Sequence, residues 1–268
     1  MSNNIIKNIN KTRYTLKEIL SKKIIFNEKF PDGEREWNTD NIPDLSDEEI
    51  EILFDIKTKQ TDNKSLSDLG LGHGLFLKIP SNIFPDISLH VIYYNFSSIG
   101  KNSSRVTKNL KDKIVKLYEE SYFNEFDSVI IIVNEDVSDT INKTLQDLNN
   151  VNQNELKSIE FNNDMIKAMD DNQYHLEKRN FRNVWIFDIN TLTNNLSKNR
   201  LVPEHFPIRE EKNIQEILKT CNCSKIQLPI IKNFDIMAKY CLAVNGDIMR
   251  IDRVSKQSGT YPFYRFVR

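Results

Sequence analysis

"KIQLPIIKNFDIMAKYCLAVNGDIMRIDRVSKQSGTYPFYRFVR", residues 225–268, is the most densely punctuated stretch of the 268-residue chain. Proline at 229 pushes Leu228 toward extended geometry. Asp235 stands where an N-cap is needed for "IMAKYCLA". Asn245-Gly246 supplies positive φ for a turn into "DIMRIDRV", and Ser258-Gly259-Thr260 turns again into "YPFYRFV". Chain tails usually fray. A tail carrying Tyr261, Phe263, Tyr264 and Phe266 is therefore expected to be buried, in its own domain or against a partner. Just upstream, Ile214, Ile217 and Leu218 form one apolar stripe of a short helix, which Leu228-Pro229 is expected to break. Together these signals predict a compact α+β module of about seventy residues, near the lower limit for independent folding, with the closing stretch as the end of a small sheet.

Working outward, the texture changes at "LVPEHFPI" (residues 201–208). Two prolines there coincide with a change in charge. Residues 201–268 hold eleven Lys or Arg against seven Asp or Glu, a net of +4, while the whole chain is at −1. A domain boundary near Arg200 follows, giving residues 1–200 and 201–268. Upstream, "ISLHVIYYNF" (87–96), "FDSVIIIVNE" (126–135) and "NVWIFDI" (183–189) read as strands, the second buried on both faces. "VTKNLKDKIVKLYEESYF" places Leu110, Ile114, Leu117 and Tyr118 on one helical face, and "DTINKTLQDL" is a helix capped by Ser138 or Asp139. Strand, helix, strand, helix, strand predicts an α/β layer. Nearer the start, a helix is expected over 12–23, capped by Thr12 or Thr15, then a short strand at "KIIF". Ser46 and Glu49 have capping-box spacing for a further helix, although Phe54-Asp55-Ile56-Lys57 also alternates as a strand would. The Asn-rich segment near 149–180 is expected to be a peripheral insertion with some helix.

Several patterns bear on chemistry. The net charge of −1 does not suit a free-standing nucleic-acid binder, and no zinc finger or clear helix-turn-helix is present. The first ten residues lack the apolar region of a secretory signal, and no apolar run is long enough for a membrane helix. The three glycines of "LGLGHG" precede the extended "LFLKIP", which favours a turn over a phosphate loop. Cys221, Cys223, Cys241 and His205 make a Cys₃His zinc site conceivable, but C-x-C with two lone partners departs from the usual knuckle spacing, and small buried hydrophobes are the plainer reading. Pro43-Asp44 with Asp55-Ile56-Lys57 fits the PD-(D/E)-x-K spacing of a metal-dependent nuclease, in which two carboxylates hold Mg²⁺ and a lysine helps activate water. Asp44 lies among Asp40, Asp47, Glu48 and Glu49, a run that reads better as a solvated helix start. The four histidines, His73, His90, His175 and His205, stand in unrelated contexts; His90 opens an apolar strand and reads as a packed or hydrogen-bonded side chain.

The tail resembles a known family: the fifth-by-size subunit shared by the eukaryotic nuclear RNA polymerases, together with its shorter archaeal homologue, which lacks the jaw domain of the eukaryotic protein. The residues that carry the resemblance are Val202-Pro203-Glu204-His205, Gln227-Leu228-Pro229-Ile230-Ile231, Asp235, Gly246-Asp247, and Ser258-Gly259-Thr260-Tyr261-Pro262-Phe263-Tyr264-Arg265. Order and spacing hold across the module. Departures fall at Ile230, Ile236 and Val244-Asn245, where the family often has basic residues or proline. The strands of residues 1–200 match the eukaryotic jaw domain only in order.

The resemblance implies a non-catalytic subunit of a DNA-directed RNA polymerase, with no metal and no cofactor. It implies an α/β N-terminal jaw of nuclease-like topology and a small α+β C-terminal assembly domain. It implies that the module docks on the largest subunit through Val202, Pro203, His205, Gln227, Leu228, Pro229, Ile230, Gly246, Tyr261, Tyr264 and Arg265, with His205 orienting backbone. The jaw would lie beside downstream double-stranded DNA, near Ser138, Thr140 and Lys143, with Arg105 and Lys108 on a cationic stretch running from Lys101 to Lys116. Asn, Lys and Ile bias and the divergent tail fit a copy carried by a large DNA virus, active in virion and host cytoplasm; a cellular eukaryotic copy would be nuclear.

Overall fold

The computed structural model describes residues 2–55, 75–94, 96, 110–257 and 259–268. Helix α1 (Ser2–Leu20) is followed by strands β1 (Lys23–Ile25) and β2 (Glu34–Arg35), helix α2 (Asp47–Asp55), and strands β3 (Leu77–Pro80) and β4 (Ser88–Tyr94). Next come α3 (Leu110–Glu119), β5 (Ser128–Val133), α4 (Asp139–Leu156), α5 (Asn163–Asn172), β6 (Val184–Asp188) and the four-residue α6 (Ile189–Leu192). The remainder is β7 (Glu204–Ile208), α7 (Glu211–Cys221), β8 (Ile230–Ile231), α8 (Ile236–Tyr240), β9 (Ile248–Ser255) and β10 (Gly259–Val267). These elements form two compact units. The first comprises Met1–Lys22, Glu36–Glu160 and Arg182–Asn194; the second comprises Lys23–Arg35, Phe161–Phe181 and Asn195–Arg268. The tail module therefore lies wholly inside the second unit, together with two segments from far upstream.

The first unit is built on a sheet in the order β3-β4-β5-β6, in which β4, β5 and β6 are parallel and β3 is antiparallel. Every residue of β4, β5 and β6 is buried. That matches their near-continuous apolar runs, which only a sheet covered on both faces can use. Leu110, Ile114 and Leu117 of α3 and Leu145 and Leu148 of α4 join Ile92, Ile131, Val133 and Ile186 in one core. Ser138 caps α4, accepting from the Ile141 amide at 3.4 Å, and the Ser46–Glu49 capping box forms at α2.

Two expectations need correction here. Helix α1 starts ten residues before Thr12, because Ile6 and Ile9 extend the buried stripe of Leu16, Ile19 and Leu20 at helical spacing. Thr12 and Thr15 are buried within the helix and cap nothing. Thr12 Oγ1 instead donates to the Ile9 carbonyl at 2.7 Å and bonds the Tyr93 hydroxyl at 2.9 Å. The Asn-rich segment is not a peripheral insertion either. Its first part is the C-terminal half of α4, and its asparagines serve the edge strand β6. Asn149 both donates to the Val184 carbonyl (3.2 Å) and accepts from the Val184 amide (2.9 Å). Asn152, fully buried, donates to the Arg182 carbonyl at 3.1 Å. Edge-strand groups that would otherwise stay unpaired are thus satisfied by side-chain amides.

The second unit contains a sheet in the order β7-β9-β10-β8, antiparallel except for β10 with β8. Side chains alternate across it. Met249, Ile251 and Val267 pack with Ala238 of α8 and Ile231, whereas Ile248 packs with Ile214 and Leu218 of α7 and with Leu228. Asp235 caps α8 through the Met237 amide (2.9 Å). Gly246 and Gly259 have φ of +100° and +69°, as their turns require. Helix α7 ends sooner than Leu228-Pro229 suggested. Asn222 adopts the left-handed conformation (φ 48°), and the amides of Asn222 and Cys223 both reach the Leu218 carbonyl, so the helix stops on its own cap.

Candidate assembly site

The module is held by one buried carboxylate. Asp247 is fully buried, directly after Gly246. It accepts from the Arg179 guanidinium, from Asn180 Nδ2 at 3.3 Å and from the Val244 amide at 3.0 Å, with Arg209 Nε at 3.8 Å. Arg179 also donates to the Arg209 carbonyl (2.8 Å) and pairs with Glu177 at 2.7 Å. Burial alone would lower the Arg179 pKa, but Asp247 and Glu177 more than compensate and raise it. Arg209 Nη2 reaches the carbonyls of Cys241 and Leu242 at 2.9 and 3.2 Å, capping the C-terminal end of α8. A Cβ at Gly246 would lie 3.2 Å from the Arg179 side chain, so the glycine serves both the positive φ and the approach of this arginine. The Gly-Asp pair, legible in sequence as a turn opening a strand, is therefore also the anchor of the 161–181 segment. Nothing near Asp247 in sequence points to Arg179; the one available signal was a lone acid inside the apolar run from Leu242 to Met249.

The residues expected at the subunit interface divide into two sets. Leu228 is buried in the core with Ile214 and Ile248, and Gly246 donates its amide to the Val267 carbonyl at 3.1 Å. His205 is buried on β7, and its Nδ1 meets the Pro203 carbonyl at 2.7 Å, the backbone-orienting role expected for it. These three build the module from within. Gln227 and Pro229 are exposed: Gln227 Oε1 accepts from the Ser224 amide at 2.7 Å, and the Pro229 carbonyl accepts from Phe266 at 2.9 Å. Val202 and Pro203 are half-buried. Ile230 and Tyr261 are 46% and 39% exposed, while Phe263, Tyr264, Arg265 and Phe266 are half-buried. The aromatic strand is thus covered only in part by its own domain. Arg253 and Arg265 stand over the Phe263 ring at 4.1 and 5.6 Å. Tyr264 also lines a cleft of about 420 Å³ with Phe206, Arg250, Glu210 and, from β1, Ile24 and Ile25.

In the first unit, Ser138, Thr140 and Lys143 are exposed at the first turns of α4; Arg105 and Lys108, with Lys101, lie outside the described residues. Lys111 and Lys113 are half-buried and Lys116 is exposed, with Lys113 over Tyr94 at 5.6 Å. His90 is packed and hydrogen-bonded: it stacks between Phe76 and Phe123, and Nε2 meets Asp127 at 2.7 Å. Asp44 of the nuclease-like spacing is paired with Lys17 at 2.7 Å. Asp55 ends α2, and Ile56, Lys57 and the glycines at 70–74 lie outside the described residues. Among the described residues, Cys221, Cys223, Cys241 and His205 do not come together as one cluster. Cys241 is buried with Sγ 3.5 Å from the His205 carbonyl, whereas Cys221 is exposed and Cys223 half-buried at the end of α7. Among the described residues, no helix is long and apolar enough to cross a membrane.

The second unit thus holds a small α+β module pinned by a buried ion pair and presenting a partly covered aromatic strand. The family model for the RNA polymerase Rpb5 C-terminal domain matches residues 194–267. The DNA-directed RNA polymerase subunit Rpo5 of Archaeoglobus fulgidus is 42% identical over 72 residues, which span 93% of that protein and 27% of this chain. The Rpo5 subunits of Pyrococcus abyssi and Methanothermobacter thermautotrophicus are 40% and 39% identical over 73 and 71 residues, spanning 88% and 91% of those proteins. The chain belongs to the Rpb5/Rpo5 family of RNA polymerase subunits. These relatives give the nuclease reading no support.

Proposed function

We propose that this protein is a non-catalytic structural subunit of a multisubunit DNA-directed RNA polymerase. The observation that carries the reading is the family match over 194–267, which coincides with the module whose aromatic strand is only half covered. Residues 201–268 dock on the largest subunit. The exposed Gln227, Pro229, Ile230 and Tyr261 and the half-buried Tyr264 and Arg265 make the contact; Leu228, His205 and Gly246 hold the surface in shape. Residues 1–200 act as a jaw of nuclease-like topology beside downstream DNA. Ser138, Thr140, Lys143, Arg105 and Lys108 face phosphates there, contacts that position without reading sequence. The composition supports a viral copy working in virion and host cytoplasm; a cellular copy would work in the nucleus.

The test is affinity purification of the tagged full chain from its native source. Large polymerase subunits should co-purify, and replacing Tyr261 and Ile230 together by Asp should release them while the chain stays folded. Recovery without any polymerase subunit would overturn the reading. For the jaw, Lys143, Arg105 and Lys108 are replaced together by Ala in assembled polymerase. Loss of about three phosphate contacts flattens the log–log salt dependence of DNA retention by roughly 2–3 units. An unchanged slope removes DNA from the proposal and leaves docking intact.

A further inference from the structure

Cys221 and Cys223 flank Asn222 at the C-terminal end of α7. The Cα separation of residues i and i+2 depends only on the backbone angles of the residue between them. Asn222, at φ 48° and ψ 47°, is the mirror image of a helical residue. The separation is therefore that of a helix, about 5.4 Å. This lies inside the window of roughly 4.4–6.8 Å usual for the Cα atoms of a disulfide. The Cys221 thiol feels Cys223, so the two side chains lie near one another. Cys221 is exposed, whereas Cys223 is half-buried against the apolar cluster that includes Ile214 and Tyr264. The turn is fixed by backbone bonds to the Leu218 carbonyl, which use no sulfur atom.

We propose that Cys221 and Cys223 form a redox modification site, closed to an intramolecular disulfide by a small-molecule disulfide of the glutathione class. The Cys221 thiolate attacks one sulfur of the oxidant, forming a mixed disulfide and expelling one thiolate. Cys223, as thiolate, then attacks the Cys221 sulfur and expels the second. The leaving thiolates take up the two protons released, so two protein thiols and one disulfide become one protein disulfide and two small thiols. Exposure makes Cys221 the entry point, and the half-buried Cys223, one residue beyond Asn222, resolves the adduct. The Cys221 thiol is raised from its ordinary value by partial desolvation and by Cys223. Its thiolate is therefore scarce at neutral pH, and closure accelerates by roughly tenfold per pH unit until the thiol titrates. The site lies beside Tyr264, whose ionisation feels Cys221, so closure alters the flank of the aromatic strand.

The test uses the reduced full chain in a glutathione redox buffer, with thiols then blocked and intact mass and peptide maps read. The expected product is a monomer lighter by two hydrogens, with Cys221 and Cys223 joined and Cys241 still reduced. A dithiol reductant should restore it. Cys221→Ser and Cys223→Ser should each accumulate a glutathione adduct on the remaining cysteine of the pair. A stable adduct on the unsubstituted chain, disulfide-linked dimers, or full reduction in an oxidising buffer would each overturn the proposal, and none of these readings depends on the variants folding.

Discussion

The two sheets reach stability by different physics. In the first unit, β4, β5 and β6 are buried at every position, and α3 and α4 complete one large apolar core. In the second, β10 runs from exposed through half-buried to buried and its apolar clusters are small; its buried carboxylate, Asp247, meets a guanidinium from a distant segment, whereas Asp127, a buried carboxylate of the first unit, meets His90 and nearby backbone amides. A sheet whose last strand is only partly covered buries less apolar surface. The Asp247–Arg179 pair ties that sheet to the 161–181 segment, and breaking it would leave buried charge poorly compensated.

The comparison is open to direct tests. Asp247→Asn removes the buried one of the two carboxylates paired with Arg179 and should cost about 3 kcal/mol, the low end for a broken buried pair because Glu177 remains. The loss should show as faster hydrogen exchange in β9 and β10, with β5 unaffected. Ile131→Ala should reverse the pattern, costing about 2–5 kcal/mol and exposing β5 first. If both variants loosen both sheets equally, the two units do not have separate sources of stability. A third test uses alkali. Tyr93, buried beside Thr12, has its pKa raised from 10.0 to about 12, chiefly by burial. The folded state holds that proton more tightly than the unfolded one. Its contribution is complete below pH 10 and is lost as pH rises through 12, about 2–3 kcal/mol in all. Urea midpoints measured across that window, with Tyr93→Phe as control, should fall more steeply in the unsubstituted chain, because Tyr118, Tyr240 and Tyr264, also raised, contribute to both. Gly246→Val should cost about 1–2 kcal/mol or more in the second unit, from positive φ and from crowding Arg179. The smallest effect should come from Tyr261→Ala: under about 0.5 kcal/mol for the isolated chain, with a clear loss of partner retention.

Legibility in the sequence followed the range of the interactions. The strands of the first unit could be read because a sheet buried on both faces writes an unbroken apolar run, as in "SVIIIV". Turns at Gly246 and Gly259 and the caps at Ser138 and Asp235 were legible because each is decided within a few residues. What stayed hidden was long-range and polar. Asn149 and Asn152 look like surface residues until β6 is placed beside them, and Arg179 looks like any exposed cation until Asp247, 68 residues on, turns inward. The start of α1 was missed for another reason: a stripe made only of Ile6 and Ile9 is too sparse among asparagines and lysines to stand out. Within the candidate site, the motif residues were legible, but their split into interior supports and exposed contacts needed the burial of Leu228 and His205.

The composition of the second unit from three chain segments also sets an order of events in folding. Asn27 bonds the carbonyls of Asn172 and Gln173, 145 and 146 residues away, and Lys29 bonds the Asp171 carbonyl across 142. Loops of that size close slowly and at a high entropic cost if the intervening chain is unstructured. The first unit supplies Glu36–Glu160, most of the residues between Asn27 and Asn172, so its collapse shortens that search before the hairpin at 23–35 meets α5. Refolding should therefore be sequential, with protection appearing in β5 before β1. A destabilised first unit would slow maturation of the second without altering any contact inside it.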